Sequence, residues 1–496
     1  MRLGTLLSLV AAASIAPHHS QARRDSFLQY PIVHLSVPNN RPEKRSFVSP
    51  IVDAFVANIS QRMKDLELAS IFTNAFPNSL DTTVEHINAT DTFIITGDIN
   101  AMWLRDSMNQ VNAYMPLVKD DPKLQSLIRG LLRRHVYSIL LDPYANAFSF
   151  DDKCENGCPN EQDDRVPKMN NNIFEGKFEL DTLCATLRLS AQYFEATDGD
   201  DASEVFDEKW VSAVELIMDT ITYFQSSSYK DEPNPKYSFE RKTQTSTDTL
   251  MKRGRGSPGK RTGMARSFFR GSDDSTLLPF NIPANAMAVV NLKRVGQILR
   301  HIKSNELATR AISLANTIDE GIRKYGILSN TPPSTVYSYE VDGYMSSYFM
   351  DDANIPSLLA LPYLGYLEVS DATYANTRRY VLSEANPYYF SGSNFTGVGG
   401  PHNGYPYVWP MALIQEAMSS TEDSEILRIL DALKRAAAVG TTDIKGQGAG
   451  FMKESLHMNN ASDFTRPWFA WCNSFFGELI VYLSQTRPHL LFAGSA

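Results

Sequence analysis

Four segments of this 496-residue chain concentrate acids, aromatics and glycines densely enough to do chemistry. In Thr96–Ser107 (TGDINAMWLRDS), Asp98, Trp103, Arg105 and Asp106 fall within nine residues. The two carboxylates can accept hydrogen bonds from vicinal hydroxyls. Arg105 can donate to ring oxygens or orient a carboxylate, and Trp103 offers a flat apolar face. The same residues also suit a plain helix start, with Asp98 as N-cap and a surface Arg–Asp pair. In Phe269–Met287, Asp273 and Asp274 precede an apolar helical stretch. Adjacent carboxylates repel, so one is expected to hold its proton, as a general acid must. Acids at a helix start are equally favoured by the dipole. Ser391–Leu413 carries a glycine cluster with His402, Tyr405, Tyr407 and Trp409, which suits either a cleft or a plain surface loop. Gly446–Leu479 carries Glu454 after a glycine-rich turn, then Arg466, Trp468 and Trp471, with Glu478 deep in the last amphipathic stretch.

Other catalytic patterns are missing from the sequence. There is no G-x-S-x-G elbow, no H-E-x-x-H and no Walker loop. No clustered His, Cys and Asp set suggests a metal, so the expected chemistry is metal-free. The acids remain as the reactive groups. Two carboxyl groups are what sugar hydrolysis requires: one protonates the leaving oxygen while the other activates water or attacks carbon.

Taken together, TGDINAMWLRDS, RGSDD with PFNIPANAMAVV, GGPHNGYPYVWPMALI, and GFMKES with FTRPWFAWCNSFFGEL resemble glycoside hydrolase family 125, the exo-α-1,6-mannosidases. The resemblance runs from about Phe47 to Leu483, with the motifs in order. It implies an all-α (α/α)6 barrel, exo-cleavage of terminal α-1,6-linked mannose, inversion, and no cofactor or catalytic metal. It places the general acid in the Asp273–Asp274 pair, with Asp274 preferred, and the general base at Glu454. The cleaved sugar would be held by Asp98, Trp103, Arg105, Asp106, His402 and Trp409, with Arg466 beside the base. Two positions depart from the family pattern. Lys453 stands where His usually precedes the base, and Gly271 stands where Pro is usual. A toroid hydrolase acting on α-glucosides or trehalose, or a non-catalytic glycan-binding protein, are the competing readings.

The elements that must position these residues read as almost wholly helical. Apolar residues recur at helical spacing near 48–67, 103–117, 122–140, 178–196, 203–225, 283–303, 304–323, 353–366, 370–384, 407–418, 422–438 and 466–485, about twelve helices. Strand alternation is brief, at 92–96 and 335–341. With 43% hydrophobic residues, the chain can bury a large core. A single catalytic domain is expected over 47–490. Within it, 227–262 reads as a polar exposed loop, partly disordered around its basic stretch Lys252–Arg261. Net charge is −9, which disfavours nucleic acid as a partner; the expected partner is a mannose-containing oligosaccharide.

Residues 1–22 read as a signal peptide and 23–46 as a polar leader. Cleavage would leave no membrane segment. Sequons at Asn58, Asn88, Asn394 and Asn460 agree with the secretory pathway, with the outside of the cell as the expected destination. Asn460 lies six residues after Glu454 and is the sequon expected to be least accessible. Cys154 and Cys158 flank a short polar loop suited to a disulfide, while Cys184 and Cys472 read as buried thiols. Nothing in the residues sets an oligomeric state.

Overall fold

A computed structural model describes residues 39–88, 90–150, 162–328, 335–442 and 445–494. The expected signal peptide, most of the leader, and the Cys154–Cys158 pair lie outside the described residues. Cys184 and Cys472 are both free and buried.

Twelve helices of nine or more residues are found among the described residues. They are α1 (Pro50–Arg62), α2 (Leu66–Ala75), α3 (Leu104–Asn112), α4 (Pro122–Leu141), α5 (Leu180–Ala196), α6 (Glu208–Phe224), α7 (Ile282–His301), α8 (Asn305–Tyr325), α9 (Ala372–Val381), α10 (Pro410–Met418), α11 (Asp423–Ala438) and α12 (Ala470–Thr486). Many start on a side-chain cap. Ser49, Asp65, Asp121, Asp207, Asn281 and Asp371 each accept a hydrogen bond from an N–H of the first helical turn. In α1, α4 and α7 a proline occupies the first turn, where its missing N–H costs nothing.

Two expectations from periodicity change. The apolar stretch 48–67 is not one helix: the chain breaks after Arg62, and Asp65 caps a separate α2. Residues 353–366 form turns instead of a helix. Pro356 and Pro362 lack the N–H groups a helix needs there. The backbone winds instead around buried Asp351, whose carboxylate accepts from Leu358 N at 2.8 Å and Leu359 N at 2.9 Å. Burial pushes that carboxyl up to about 8.

The helices share one core, from Phe47 to Phe492. Helix α5 packs on α3 and α7, and α12 packs on α3 and α10. Behind them, α8 packs on α7, α11 on α10, and α2 on α12. The strands form small sheets of two or three short members. Three of these sheets tie loop segments together at the helix starts. One pairs Met102–Trp103 with Ala147–Phe148 and Ile173–Glu175. Another pairs Phe280–Asn281 with Glu340–Val341. The third pairs Tyr407–Val408 with Ser455–His457, which pairs with Asn460–Thr465.

The stretch 227–262 is packed where composition suggested a loose loop. Strand Ser238–Arg241 pairs with Asp163–Val166. Arg241 makes a two-pronged ion pair with Asp163 at 2.6 and 2.8 Å. Gly254 lies against the Phe239 backbone, where an added Cβ would sit 2.7 Å from Phe239 N. The basic side chains of Lys252, Arg253, Lys260 and Arg261 nevertheless face outward. Asn58, Asn88 and Asn460 are exposed. Asn460 is thus open, against the expectation, because it begins the outer strand of its sheet. Asn394 is half-buried, and its amide donates to Asn459 O at 2.6 Å. No described helix is long and apolar enough to cross a membrane.

Trp210 tests how far the core sets stability apart from the site. It is 1% exposed in α6, and its indole N–H donates to Ser190 Oγ at 2.9 Å. Trp210→Ala is expected to cost about 3–5 kcal/mol in denaturant unfolding, while kcat at a temperature where the variant stays folded is unchanged.

Candidate active site

The N-terminal ends of α3, α10 and α12 carry several of the residues singled out by their types. A cavity of about 230 Å³ is lined by Trp103, Arg105, Asp106, Asp273, His402, Trp409, Glu454 and Arg466, and also by Asn354 and Trp471. All four sequence segments therefore meet in one place. Helix starts present unpaired N–H groups and a partial positive charge, which lowers the cost of gathering carboxylates there.

At the base of the cavity lies the buried Arg105 guanidinium, 3% exposed. Nη1 reaches Glu179 Oε2 at 2.6 Å and Asp181 Oδ2 at 3.6 Å. Nη2 reaches Asp273 Oδ1 at 3.2 Å and Asp106 Oδ2 at 3.3 Å. The Trp471 ring lies 5.7 Å from its central carbon. Burial would lower the Arg105 pKa, but four surrounding carboxylates raise it well above the ordinary value. Burial lifts Asp106 to about 6, with Arg105 opposing, and Asp181 to about 6 in the same way.

Asp273 and Asp274 do not act on each other as their adjacency suggested. Asp273 sits at φ 66°, a left-handed conformation uncommon for a residue with a Cβ. The turn is held by Asp273 N on Arg270 O at 2.9 Å and Arg270 N on Asp274 O at 2.8 Å. Arg270 is fixed by buried Glu340, which it reaches at 2.7 Å. This geometry sends the two carboxyls apart. Asp273 accepts from Trp103 Nε1, Arg105 Nη2 and Asn146 Nδ2, each at 3.2 Å, and lines the cavity. Asp274 is 4% exposed, stands behind the cavity lining, and faces His402 Nδ1 at 3.6 Å. Burial would raise both pKa values, yet both are lowered: Asp273 by Arg105 and Lys177, Asp274 by His402. Of the two, Asp273 lines the cavity and Asp274 does not.

Glu454 enters from the other side. It is 6% exposed, and accepts from Thr465 Oγ1 at 2.8 Å, Asn403 Nδ2 at 3.1 Å and Arg466 Nη1 at 3.4 Å. Arg466 also grips Asp98 through Nε at 3.0 Å and through Nη2. Asp98 thus steadies Arg466 from outside the lining. The glycine-rich turn before the base is required by its backbone. Gly448 has φ +78°, and a Cβ there would lie 2.2 Å from Thr441 O. Lys453 is fully buried, donates to Gly448 O at 2.7 Å and Phe451 O at 2.8 Å, and closes this turn. Burial lowers its pKa to about 7. Gly271 fits tightly, since a Cβ would lie 3.0 Å from Ile355 O.

Tyr405 and Tyr407 were candidate cleft aromatics. Tyr405 is 72% exposed and outside the lining, and Tyr407 donates to Asp463 at 3.0 Å. Glu478 lies seven residues along α12 from Trp471, a helical rise of about 10 Å. It lines a second cavity of about 480 Å³ at the far ends of α3, α10 and α12. That cavity is larger, but none of the four sequence segments places its acids and tryptophans around it apart from Glu478. Sequence reasoning missed Glu179, Asp181, Asn146 and Asn354. Glu179 and Asp181 fall at the start of the stretch expected to be helical over 178–196, and Asn354 falls in an expected helix that does not form.

Residues 65–481 match the family described as metal-independent α-mannosidase, GH125. A Schizosaccharomyces pombe protein named meiotically up-regulated gene 157 protein is 42% identical over 476 residues, covering 92% of this chain and 90% of its own. A Streptococcus pneumoniae metal-independent α-mannosidase, solved in a non-productive complex with α-1,6-mannobiose, superposes with a TM-score of 0.82 at 36% identity. The match covers 89% of this chain and all of that one. A bacterial glucoamylase bound to acarbose shares the helical fold alone, with a TM-score of 0.51 at 13% identity over 86% of this chain and 57% of its own.

His402 offers a test of the electrostatics. Burial would lower its pKa, but Asp274, Glu454 and Asp273 raise it to about 9. A raised pKa stabilises the fold fully below the unfolded value of about 6.5, and that contribution is lost as pH rises through about 9. The stability gap between wild type and His402→Gln is therefore expected to shrink between pH 6.5 and 9.5 in denaturant titrations. A gap independent of pH would contradict the ion pair.

Proposed function

Because the chain belongs to glycoside hydrolase family 125, the metal-independent α-mannosidases, we propose that it removes single α-1,6-linked mannose units from the ends of mannans or N-glycans, with inversion. The reading includes closure of the helices into an (α/α)6 toroid, whose inner helix starts surround the sugar. The observation that carries it is the placing of Asp273 and Glu454 on the lining of one small cavity, together with three tryptophans and two arginines. A volume of about 230 Å³ suits one sugar ring, which favours cleavage from a chain end.

Trp103 and Trp409 give the ring apolar walls. The Trp409 indole N–H is buried and has no hydrogen-bond partner among the described residues. Asp106 and Arg466 supply an acceptor and a donor for the remaining hydroxyls. Asp273 gives its proton to the glycosidic oxygen as the bond to the anomeric carbon breaks. Glu454, held in orientation by Thr465, Asn403 and Arg466, takes a proton from the water that attacks the opposite face. The S. pneumoniae enzyme's α-1,6-mannobiose complex supports the choice of linkage. The exposed sequons at Asn58, Asn88 and Asn460 suit passage through the secretory pathway.

Glu454→Gln is expected to lower kcat on α-1,6-mannobiose by about 10²–10⁴-fold. NMR of the wild-type digest is expected to show β-mannose as the first sugar released, and maltose is expected to remain uncut. Wild-type turnover in Glu454→Gln, or α-mannose as first product, overturns the assignment. Endoglycosidase treatment of protein from its own host is expected to shift the gel band, with loss of the Asn394 sequon changing that shift least. An unshifted band contradicts the secretory route.

A further inference from the structure

A general acid must hold a proton before it can give one. Asp273 faces Arg105 at 3.2 Å, and Lys177 lies nearby; both favour its ionised form. An ionised Asp273 cannot protonate a leaving oxygen, so its surroundings must hold the proton elsewhere.

Glu179 is the carboxyl built to do this. It is 1% exposed and sits as the residue preceding α5. The Glu179 backbone pairs with Phe269, four residues before Asp273, so the two acids ride on bridged segments. Their carboxyls also share two donors. Arg105 reaches Glu179 through Nη1 at 2.6 Å and Asp273 through Nη2 at 3.2 Å. Asn146 Nδ2 reaches Glu179 Oε1 at 2.9 Å and Asp273 Oδ1 at 3.2 Å. Thr182 Oγ1 completes the setting, donating to Glu179 Oε2 at 3.0 Å. The groups facing the pair are Arg105, Lys177 and His402 as cations, with Asp106 and Asp181 as acids. Glu175 accepts from the same Asn146 amide at 2.9 Å. Two buried carboxyls so close behave as a pair that keeps one proton between them.

We propose that Glu179 is the positioning residue that stores the general acid's proton and hands it to Asp273 as the glycosidic bond breaks. This rests on the mannosidase reading and adds the origin of the proton. The direction of the hand-over follows from burial. Burial, with the charges of Asp273 and Asp181, holds the Glu179 carboxyl well above the usual range, while Asp273 is held below it. Asp273 alone opens to the cavity, with its side chain 24% exposed against 0% for Glu179. In the reaction, the pair's one proton moves from Glu179 to Asp273 and from Asp273 on to the glycosidic oxygen. The C1–O bond breaks with its electrons on that oxygen, and water forms the new C1–O bond. Glu454 takes the water's proton, which returns through solvent to recharge the pair. The sum is addition of one water across one glycosidic bond.

The test compares two substrates in kcat/KM pH profiles: α-1,6-mannobiose, whose leaving group needs a proton, and 2,4-dinitrophenyl α-mannoside, whose leaving group does not. Glu179→Gln is expected to lose about 10²-fold or more on mannobiose, with its alkaline limb moved to lower pH, and to stay within a few-fold of wild type on the aryl mannoside. An equal loss on both substrates, or an unmoved alkaline limb, overturns the proposal. Thr182→Val serves if Glu179→Gln does not fold. It removes a donor to ionised Glu179, so the alkaline limb for mannobiose is expected to move to higher pH, and an unmoved limb again overturns the proposal. Failure of wild type to cut either substrate would instead overturn the mannosidase reading itself.

Discussion

One buried guanidinium, that of Arg105, is the interaction on which the site depends. It meets four carboxylates, from Asp106, Glu179, Asp181 and Asp273, at 2.6 to 3.6 Å. A buried ion stripped of its partner typically costs about 3–5 kcal/mol, so neither the cation nor the acids can be understood alone. The planar fork matters as much as the charge, since its two terminal nitrogens address Glu179 and Asp273 separately. By dividing its contacts in this way, Arg105 sets two neighbouring acids in unlike environments. One faces the cavity and the other is sealed behind it. Paired carboxyls in unequal surroundings are how a single site assigns acid and base roles.

The backbone prepares the place for this cluster. Helices α3, α5, α10 and α12 begin around it, and their dipoles favour negative charge. Small sheets then link segments that are far apart in sequence. Strand Ser455–His457 joins the base-bearing turn to the His402–Trp409 segment. Arg466 links Glu454 to Asp98 across more than 350 positions. Two residues in this region, Asp273 and Arg466, adopt positive φ without being glycine. Such conformations persist where the surroundings fix them, and they gather at working sites. Here the Arg270–Glu340 pair and the Asp98–Arg466 pair do the fixing.

Much of this was legible in the sequence. Helical periodicity located eleven of the twelve long helices, because an apolar face is written into residue spacing. It failed at 353–366, where apolar residues keep helical spacing but Pro356 and Pro362 and the Asp351 carboxylate impose turns. The four motifs supply Trp103, Arg105, Asp106, His402, Trp409, Glu454 and Arg466, which the fold brings onto the lining of one cavity. Adjacency misled at Asp273 and Asp274, since neighbouring residues in a tight turn point apart and each found its own cation. Glu179 could not be seen at all. An acid just before an amphipathic helix is ordinary, and only the bridge to Phe269 brings it beside Asp273.

The most direct test of this account is the kcat/KM of Arg105→Lys on α-1,6-mannobiose, measured on folded protein. Lysine keeps the charge but offers a single nitrogen, which cannot hold Glu179 and Asp273 at once. The account predicts a fall of about 10²-fold or more, as misplacing a reacting group by an ångström can produce. A variant that keeps wild-type kcat/KM would show that charge alone suffices, and would contradict the central role given to the forked guanidinium.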